Sequence, residues 1–460
     1  MSRLLISAAH KSSGKTTITI GLCAALAERG LDVQPFKKGP DYIDPMWLGR
    51  AAGHPCHNLD FYTMEKQEIV DTVYCQSRHA DITIVEGNKG LYDGLDLDGS
   101  NSNAALASLL HAPVVLVLDA RGMTRGIAPL ILGYQAFDPN IKIAGVILNQ
   151  LGGHRHESKL RSVIEHYTDV RVVGAVCHDQ SLSIEERHLG LIPSNEDDSA
   201  DRKIIQIRDG IKQQIDLDSI IAIAKTAPAL PAVACVTDNV NTHQDLRIGV
   251  MRNDAFGFYY PGDLQAMTQH GAELVFIDAI RDKQLPDIDG LFIGGGFPEA
   301  RMQELEANHS MRESVRNAIE HGLPTYAECG GLMYLGRTLS WHDQHRDMVG
   351  IIPVDTVMHT RPQGRGYIRL AETEHHPWKG MEPVPTQDIA GHEFHYSALE
   401  NVDPSIRFAY RILRGTGIDG QNDGIVYKNL LASYAHLRDT SRNHWAQRFV
   451  KFVRHCKKSN

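Results

Sequence analysis

The sequence predicts an α/β protein of two domains, the first of which is built on a parallel sheet. In the first half, near-continuous apolar runs alternate with helical stretches, and these runs are RLLIS, DVQPFK, DITIVEG, APVVLVLDA and IAGVILNQ. Apolar strands between helices are typical of a parallel sheet that is covered on both faces. A second α/β series begins at LRIGVMRND, after a segment of Ala, Pro, Asn and Thr without periodicity. We therefore predict domains at 1–225 and 246–460, a linker at 226–245, and one helix over 201–225.

The composition argues against two broad classes of function. The 460 residues are 42% hydrophobic and 22% charged, which is typical of a soluble globular chain. The formal net charge of −9 argues against nucleic-acid or membrane-surface binding, because both need a basic face. The seven cysteines form no C-x-x-C pair, and an odd, scattered set predicts reduced thiols. We therefore expect a cytoplasmic protein that binds neither nucleic acid nor membrane.

The stretch SAAHKSSGKTT lies between the first predicted strand and a predicted helix. Gly14, Lys15 and Thr16 then stand at a helix N-terminus, where free backbone N–H groups favour phosphate. The lysine would reach the β- and γ-phosphates of ATP, and the threonine hydroxyl would bind Mg²⁺. Ser13 and Thr17 complete the predicted ATP-binding set. The loop lacks the usual leading glycine, and the alternative is an ordinary glycine and serine turn before a helix.

Two acidic stretches follow later strands of the predicted sheet. FKKGPDYIDP presents Asp41 and Asp44, and IVEGNKGLYDG presents Glu86 and Asp93. Ligands gather at the carboxyl ends of the strands in open α/β sheets, so these acids could converge on Mg²⁺ and a phosphoryl group. The alternative is that they are solvated loop acids.

A candidate nucleophile, Cys329, lies in LPTYAECGGLMYL between an apolar strand and a helix that opens with two glycines. We expect a sharp elbow that exposes the thiol and lowers its pKa at the helix N-terminus. The sequence offers three candidate bases, namely His436 on a short strand, His392 and His395. Backbone amides near GGGFPE (294–299) could stabilise an oxyanion. The alternative is an inert buried cysteine.

Nine motifs occur in order along the chain, and they are GKTT, GPDYIDP, VEGNKGLYDG, RHLGLIP, DAFGFYYPGDL, LFIGGGFPE, AECGGLMYL, GHEFHYS and SYAH. With these motifs the chain resembles the cobyrinic acid a,c-diamide synthase family over nearly its whole length. The resemblance implies a nucleotide-binding domain of the dethiobiotin-synthetase type followed by a class I-like glutaminase domain. It also implies amidation of acetate side chains of a tetrapyrrole polycarboxylate, with ATP, Mg²⁺ and glutamine.

The resemblance assigns roles to residues of this sequence. Cys329 would attack glutamine with His436 as base, and the oxyanion would be held near Gly295, Gly296 and Gly330. Thr16, Asp41 and Glu86 would lie at the Mg²⁺, while Asp44 and Asp93 would handle substrate or the phosphoryl group. Asn149, in VILNQ, would recognise the base of the nucleotide.

The chain departs from the family pattern at several positions. His436 is followed by Leu437 and Arg438, so the His-x-Glu pattern of class I glutaminases is absent. Lys11 and Lys38 add two cations near the predicted anion site, either as solvated surface or as contacts to a different carboxylate pattern. Arg361 and Arg365, in MHTRPQGRGY, are either tetrapyrrole contacts or a solvated loop pair.

Two other functions compete with amidation of cobyrinic acid at the a and c positions. The same chemistry could act on sirohaem or a sirohydrochlorin metal chelate. A P-loop switch ATPase would explain residues 1–150 but gives no role to Cys329 or His436. The sequence leaves the oligomeric state open, with a homodimer as one alternative.

Overall fold

A computed structural model describes residues 1–460 apart from 188–189, 198, 236–243, 386–387 and 460. Part of the predicted linker, 236–243, and His188 and Leu189 of the RHLGLIP motif lie outside the described residues. The chain divides into two compact units, Met1–Phe61 with Lys66–Cys235, and Tyr62–Glu65 with Val236–Asn460. No helix among the described residues is both long and apolar enough to cross a membrane.

The first unit is built on a parallel sheet. Its described strands are β1 Ser2–Ala8, β2 Val33–Lys38, β3 His57–Leu59, β4 Ile82–Glu86, β5 Val114–Asp119, β6 Ile143–Leu151, β7 Val172–Cys177, and the short pair β8 Glu186–Arg187 and β9 Gly190–Leu191. Strands β1 to β7 form the sheet in the order β3-β2-β4-β1-β5-β6-β7, and all their pairings are parallel. This order brings the carboxyl ends of β1, β2 and β4 side by side, at the edge where ligands bind in such sheets.

The helices of the first unit follow its strands. They are α1 Lys15–Glu28, α2 Ile43–Ala52, α3 Lys66–Ser77, α4 Asn103–Leu109, α5 Ile127–Phe137, α6 His154–Tyr167, α7 Ala200–Gln214 and α8 Leu217–Lys225. The prediction of one helix over 201–225 was wrong, because α7 ends at Gln214 and a separate helix, α8, begins at Leu217. Asp216 accepts a hydrogen bond from Ser219 N (3.0 Å) and so caps α8.

The prediction of reduced thiols was wrong for one pair. Cys75, on α3, and Cys235 form a disulfide across 160 residues of sequence. The other five cysteines are free thiols. A local sequence pattern cannot reveal this bridge, since the fold alone brings such distant residues together.

The second unit contains a larger, mixed sheet. Its described strands are β10 Leu246–Met251, β11 Ala272–Ile277, β12 Gly290–Ile293, β13 Thr325–Glu328, β14 Thr338–Trp341, β15 Gln344–Asp347, β16 Asp355–Met358, β17 Gly364–Glu372, β18 Ile389–His395, β19 Ser397–Glu400, β20 Arg407–Arg414, β21 Asn422–Tyr427 and β22 Leu430–Ser433. The main sheet has the order β11-β10-β12-β13-β22-β21-β20-β17-β18, parallel as far as β22 and antiparallel beyond it. A smaller sheet has the order β15-β14-β16-β19.

The core of the second unit lies on both faces of the main sheet. Its helices are α9 Pro261–Gln269, α10 Met302–Ala307, α11 His309–Glu320, α12 Gly330–Leu335 and α13 Trp445–Ser459. Successive residues of β13 belong to different hydrophobic clusters: Tyr326 packs with Trp378 and Trp445, and Ala327 with Leu332. This alternation is expected for a strand buried on both faces.

Candidate active sites

The turn before α1 has the geometry of a phosphate-binding loop. Gly14 has φ 84° and ψ 19°, a left-handed conformation that favours glycine. A Cβ at this position would lie 2.2 Å from Asn149 Nδ2, so a side chain here would displace the Asn149 amide. Asn149 Nδ2 donates to Ser13 O (2.9 Å), and Ser13 Oγ donates to His10 O (2.8 Å). The end of β6 therefore supports this turn through Asn149, whose contact with a nucleotide base stays a prediction.

Lys15 opens α1 and is buried in a strongly charged environment. Burial is the main cause that lowers the pKa of Lys15 to about 8. The carboxylates of Glu86, Asp44 and Asp93 oppose this effect, and Lys37 adds to it. The structure thus groups Lys15 with three of the four predicted acids. Thr17 follows in the first turn of the same helix.

Two of these acids converge on Thr16 and Lys37. Lys37 Nζ donates to Asp44 Oδ2 (2.5 Å) and to Glu86 Oε1 (2.7 Å). Thr16 Oγ1 donates to the same two oxygens, at 2.8 Å for Glu86 and 3.2 Å for Asp44. Although burial lowers it, the pKa of Lys37 is raised well above its ordinary value by Asp44 and Glu86. We call Thr16, Lys37, Asp44 and Glu86 the acid cluster.

Lys38 does not belong to the acid cluster. Successive side chains of a strand point to opposite faces, so only one of the two lysines at the end of β2 can reach it. Lys38 is buried and its Nζ lies 3.3 Å from Asn88 Oδ1. Burial lowers the pKa of Lys38 to about 8, and the nearby Lys89 and Lys37 lower it further against the attraction of Asp60. Lys11, by contrast, is exposed.

Asp41 and Asp93 stabilise turns at the edge of the acid cluster. Asp41 Oδ1 accepts from Ile43 N and Asp44 N, both at 3.0 Å, at the start of α2. Burial and then the Asp44 charge raise the pKa of Asp41 to about 7. Asp93 is exposed and accepts from Gly90 N (2.9 Å). Both carboxylates therefore already bind backbone N–H groups.

The acid cluster fits Mg²⁺ by the chemistry of its donors. Glu86 is fully buried, and its Oε2 has no hydrogen-bond partner. Mg²⁺ commonly takes one or two carboxylates, with phosphate and water filling the other positions. Among the described residues, no group of three or more His, Cys, Asp or Glu side chains forms an all-protein metal site. Glu86, Asp44 and the Thr16 hydroxyl would hold the ion, in place of the predicted set of Thr16, Asp41 and Glu86, because Asp41 Oδ1 is bound to backbone N–H groups while Asp44 contacts Thr16.

Cys329 lies on a sharp elbow between β13 and α12. Its φ of 47° and ψ of −100° are rare for a residue with a side chain. Its N–H donates to Ser433 O (2.7 Å), which fixes the elbow against the end of β22. The prediction of an elbow at this residue agrees with this geometry, but the prediction that the elbow exposes the thiol was wrong, because Cys329 is only 6% exposed.

Three glycines place backbone close to the elbow. A Cβ on Gly295 would lie 2.6 Å from His436 Cε1, and a Cβ on Gly330 would lie 3.0 Å from Gly296 N. The strand end at Gly295–Gly296, the elbow and His436 therefore meet at one place. A Cβ on Gly296 would lie 2.0 Å from Ala255 O, so backbone packs closely against this glycine as well.

The pKa of the Cys329 thiol differs from the prediction. Burial raises the pKa of Cys329, and the carboxylates of Glu299 and Glu328 raise it further. The expected lowering by the helix N-terminus was therefore wrong, because desolvation and two anions outweigh it. The thiol needs a base to become a nucleophile.

His436 lies beyond the end of β22, rather than on the predicted strand. Its Nδ1 lies 3.3 Å from Glu328 Oε2. Its ring stacks on that of His392, with centroids 4.9 Å apart and an interplanar angle of 16°. Backbone hydrogen bonds between His392 and His436 (2.8 and 3.2 Å) hold the two residues together. His436 thus contacts a carboxylate on one edge and an aromatic ring on one face.

The other two candidate histidines occupy different environments. Burial lowers the pKa of His392 well below its ordinary value, and the charges of His436 and Arg438 lower it further. His395 stacks on Tyr434 at 3.8 Å, and its Nδ1 lies 2.8 Å from Ser397 O. These contacts favour His436 as the base.

The two predicted tetrapyrrole contacts lie on and beside β17. Arg361 is exposed, and Arg365 places its guanidinium 5.2 Å from the centre of the Phe394 ring. This cation–π contact orients Arg365 while its charge stays exposed. The role of both arginines in binding the tetrapyrrole stays a prediction.

Lys37 and Glu328 are two residues of these sites that were not predicted from the sequence. Successive side chains of β2 point to opposite faces of the sheet, so the position of an acid on β4 could have distinguished Lys37 from Lys38. No sequence signal joins Glu328 to His436, which follows it by 108 residues.

Comparisons with known proteins cover both units. A family model of the CobQ/CobB/MinD/ParA nucleotide binding domain matches residues 5–192, and one of the CobB/CobQ-like glutamine amidotransferase domain matches residues 247–444. These matches confirm the predicted fold class, a P-loop nucleotide-binding domain followed by a glutamine amidotransferase domain.

Several curated relatives align along nearly the whole chain. A cobyrinate a,c-diamide synthase of Magnetococcus marinus is 44% identical, over 98% of this chain and 97% of its own length. Those of Methanosarcina acetivorans and Archaeoglobus fulgidus are 42% and 39% identical, over 98% of this chain and 95% and 97% of their own lengths. Among solved structures, PurLQS from Thermotoga maritima matches 46% of this chain and 99% of its own, at 13% identity and a TM-score of 0.37. The chain therefore belongs to the cobyrinate a,c-diamide synthase family of glutamine-dependent amide ligases.

Proposed function

We propose that this protein amidates the a and c acetate carboxylates of cobyrinic acid, through acyl phosphates and with ammonia taken from glutamine. The observation that carries the proposal is the pairing, in one chain, of the acid cluster beside Lys15 with the Cys329 elbow beside His436. A switch ATPase would need the first site alone. The names of the relatives support cobyrinate as the substrate.

The first half-reaction takes place at the acid cluster. A substrate carboxylate oxygen attacks the γ-phosphorus of ATP, and ADP leaves as the acyl phosphate forms. Lys15 and the α1 N-terminus bind the phosphates, while Mg²⁺ held by Thr16, Asp44 and Glu86 would neutralise the developing charge. Ammonia then attacks the acyl carbon and displaces phosphate, which leaves the amide.

The second half-reaction supplies the ammonia. His436 takes the proton of Cys329, and the thiolate attacks the carboxamide carbon of glutamine. Backbone N–H groups near Gly295, Gly296 and Gly330 stabilise the oxyanion, and the departing nitrogen takes a proton from His436. Water hydrolyses the thioester, which releases glutamate and restores the thiol.

Substrate recognition needs cations, because the macrocycle carries several carboxylates. We assign this role to Lys38, Arg361 and Arg365, with Asp44 and Asp93 close to the reacting group. We also propose that the reaction takes place in the cytoplasm, where ATP and glutamine are supplied. Whether two copies assemble as a homodimer stays open to measurement.

The test is a mass-spectrometric amidation assay with ATP, Mg²⁺ and glutamine. Cobyrinic acid and sirohaem are offered in parallel, and Cys329→Ala protein is assayed with glutamine and with ammonium chloride. We expect two amides on cobyrinic acid, and we expect Cys329→Ala to work with ammonium only. The matched control is Cys456→Ala, at a thiol on α13.

Each contrary outcome removes a specific part of the proposal. Amidation of sirohaem alone would overturn the substrate. Glutamine hydrolysis without amidation of either macrocycle would overturn the substrate class. Glutamine use by Cys329→Ala would overturn the nucleophile.

A further inference from the structure

A buried carboxylate lies beside the proposed base. Glu328 ends β13 and is 2% exposed. Its Oε1 accepts hydrogen bonds from Tyr326 Oη (2.7 Å) and from Leu437 N (2.9 Å). Its Oε2 lies 3.3 Å from His436 Nδ1. The carboxylate therefore contacts His436 through its ring and the following residue through its backbone.

We propose that Glu328 is the positioning residue of His436 in glutamine hydrolysis. A carboxylate at Nδ1 favours the tautomer with the proton on that nitrogen, which leaves Nε2 free of a proton. Nε2 can then accept the proton of Cys329, and Glu328 stabilises the imidazolium that results. The inference rests on the proposed roles of Cys329 and His436.

Two hydrogen bonds fix the carboxylate for this role. Tyr326 precedes Glu328 by two residues, so both side chains lie on the same face of β13. Tyr326 is itself fully buried, with its ring stacked on Phe292 (centroids 5.5 Å apart). With Oε1 occupied on two sides, rotation of the carboxylate would break both bonds. Oε2 is thus kept towards the imidazole.

The elbow explains how adjacent residues can serve one histidine. In a regular strand Glu328 and Cys329 would point to opposite faces of the sheet. Cys329 leaves the strand with φ 47°, and its N–H is bound to Ser433 O at the end of β22. The chain reaches His436 three residues after Ser433. Cys329 and Glu328 can therefore both lie close to His436.

Other buried carboxylates of this region have different partners. Asp423 accepts from the backbone N–H groups of Tyr434 (3.0 Å) and Ala435 (2.9 Å) and so stabilises the segment before His436. Glu393 accepts from Thr416 N and Gly417 N. Glu393 also lies 3.7 Å from His395 Nε2, whereas Glu328 is the carboxylate that contacts Nδ1 of His436.

The test compares glutamine with ammonium as nitrogen donor in Glu328→Gln protein. The amide can keep the hydrogen bonds of Oε1, but its NH₂ group would face Nδ1 and favour the wrong tautomer. We expect kcat with glutamine to fall by about 10² to 10⁴ with little change in KM. Activity with ammonium should stay within about twofold of the wild type, because the ATP site is unchanged.

Two further variants separate positioning from folding. Glu328→Asp keeps the charge and should recover at least about tenfold of the lost kcat, whereas a structural role would give no such recovery. Glu320→Gln makes the same change at a half-exposed carboxylate, bound by Lys428 and Tyr427, and should leave both activities unchanged.

Three results would overturn the inference. The first is a wild-type kcat with glutamine in Glu328→Gln. The second is an equal loss with glutamine and with ammonium in both Glu328 variants, which would indicate a structural role. The third is a Glu328→Asp protein no better than Glu328→Gln. Glutamine use by Cys329→Ala would instead remove the proposed function on which the inference rests.

Discussion

The two candidate sites solve opposite electrostatic problems. At the acid cluster, Lys37 Nζ pairs with both Asp44 and Glu86 within 2.7 Å, so the charged side chains are already held together before any ligand binds. At the elbow, burial and two nearby carboxylates raise the pKa of Cys329, so the thiolate has to be generated by a base, which we propose is His436. A site that binds a metal cation needs its carboxylates in place in advance, whereas a nucleophile can stay protonated until its substrate arrives.

The largest expected effect is a loss of amidation, and comparing glutamine with ammonium as nitrogen donor shows which of the two sites is affected. Lys15→Ala should lower amidation at least about 10³-fold with glutamine and with ammonium alike, because the γ-phosphoryl group loses its cation. Cys329→Ala should lower only the glutamine-dependent rate. Product formation by mass spectrometry measures both. A Lys15→Ala protein that still amidates with ammonium would contradict the assignment of the ATP site.

The charge balance of the acid cluster can be broken at Lys37. Lys37→Met leaves two carboxylates close together without their cation, and we expect the free energy of unfolding to fall by about 3–5 kcal/mol. Mg²⁺ should restore more stability to the variant than to the wild type, because the ion can replace the ammonium. Urea unfolding with and without Mg²⁺ measures both effects.

The matched control for this experiment is Lys212→Met. Lys212 binds Glu28 and Asp209 on the surface, so its removal should cost less than about 1 kcal/mol. Equal losses in the two variants would contradict the view that the Lys37 pairs differ because they are buried.

Glu86→Gln tests whether the acid cluster binds Mg²⁺. We expect about a 10²-fold lower rate with either nitrogen donor and a higher Mg²⁺ requirement, because the buried Oε2 loses its charge. Titration of the rate with Mg²⁺ measures this requirement. Glu28→Gln, an exposed change in the same unit, should leave the titration unchanged. An unaltered Mg²⁺ curve in Glu86→Gln would place the ion elsewhere.

The smallest expected effect is on the alkylation rate of the Cys329 thiol. Because the pKa of Cys329 is raised, alkylation by iodoacetamide at pH 7 should be at least about tenfold slower than for free cysteine. The rate should keep rising with pH to at least pH 9, since the thiolate is the reacting species. Peptide mass spectrometry of Cys329 measures it. A rate that is already constant at pH 7 would mean that the thiolate exists at rest.

The sequence predicted the elements that are local and missed the contacts that are not. Cys329 and Lys15 each lie in a strand–turn–helix segment, so one short motif contains the geometry. Glu328 reaches His436 only because β13 pairs with β22, in a register where Glu328 lies beside Ser433. In the His-x-Glu pattern of class I glutaminases the acid follows the histidine. Here the carboxylate that contacts His436 belongs to Glu328, which directly precedes the cysteine.

The charged residues show a second limit. Lys37 and Lys38 are neighbours of the same type, and only Lys38, which departs from the family pattern, was predicted to lie at the site. The face of β2 decides which of them meets Asp44 and Glu86, and that depends on pairing with β4. Likewise, the pKa of Cys329 depends on burial and on Glu299, neither of which a motif encodes.

The disulfide between Cys75 and Cys235 has a consequence for how the first unit comes apart. Each of the strands β4 to β7 lies between the two cysteines. A protease that cuts once within residues 76–234 would therefore leave two fragments joined through sulfur. Such a nicked chain would run as one band on a denaturing gel without reductant and as two bands after reduction.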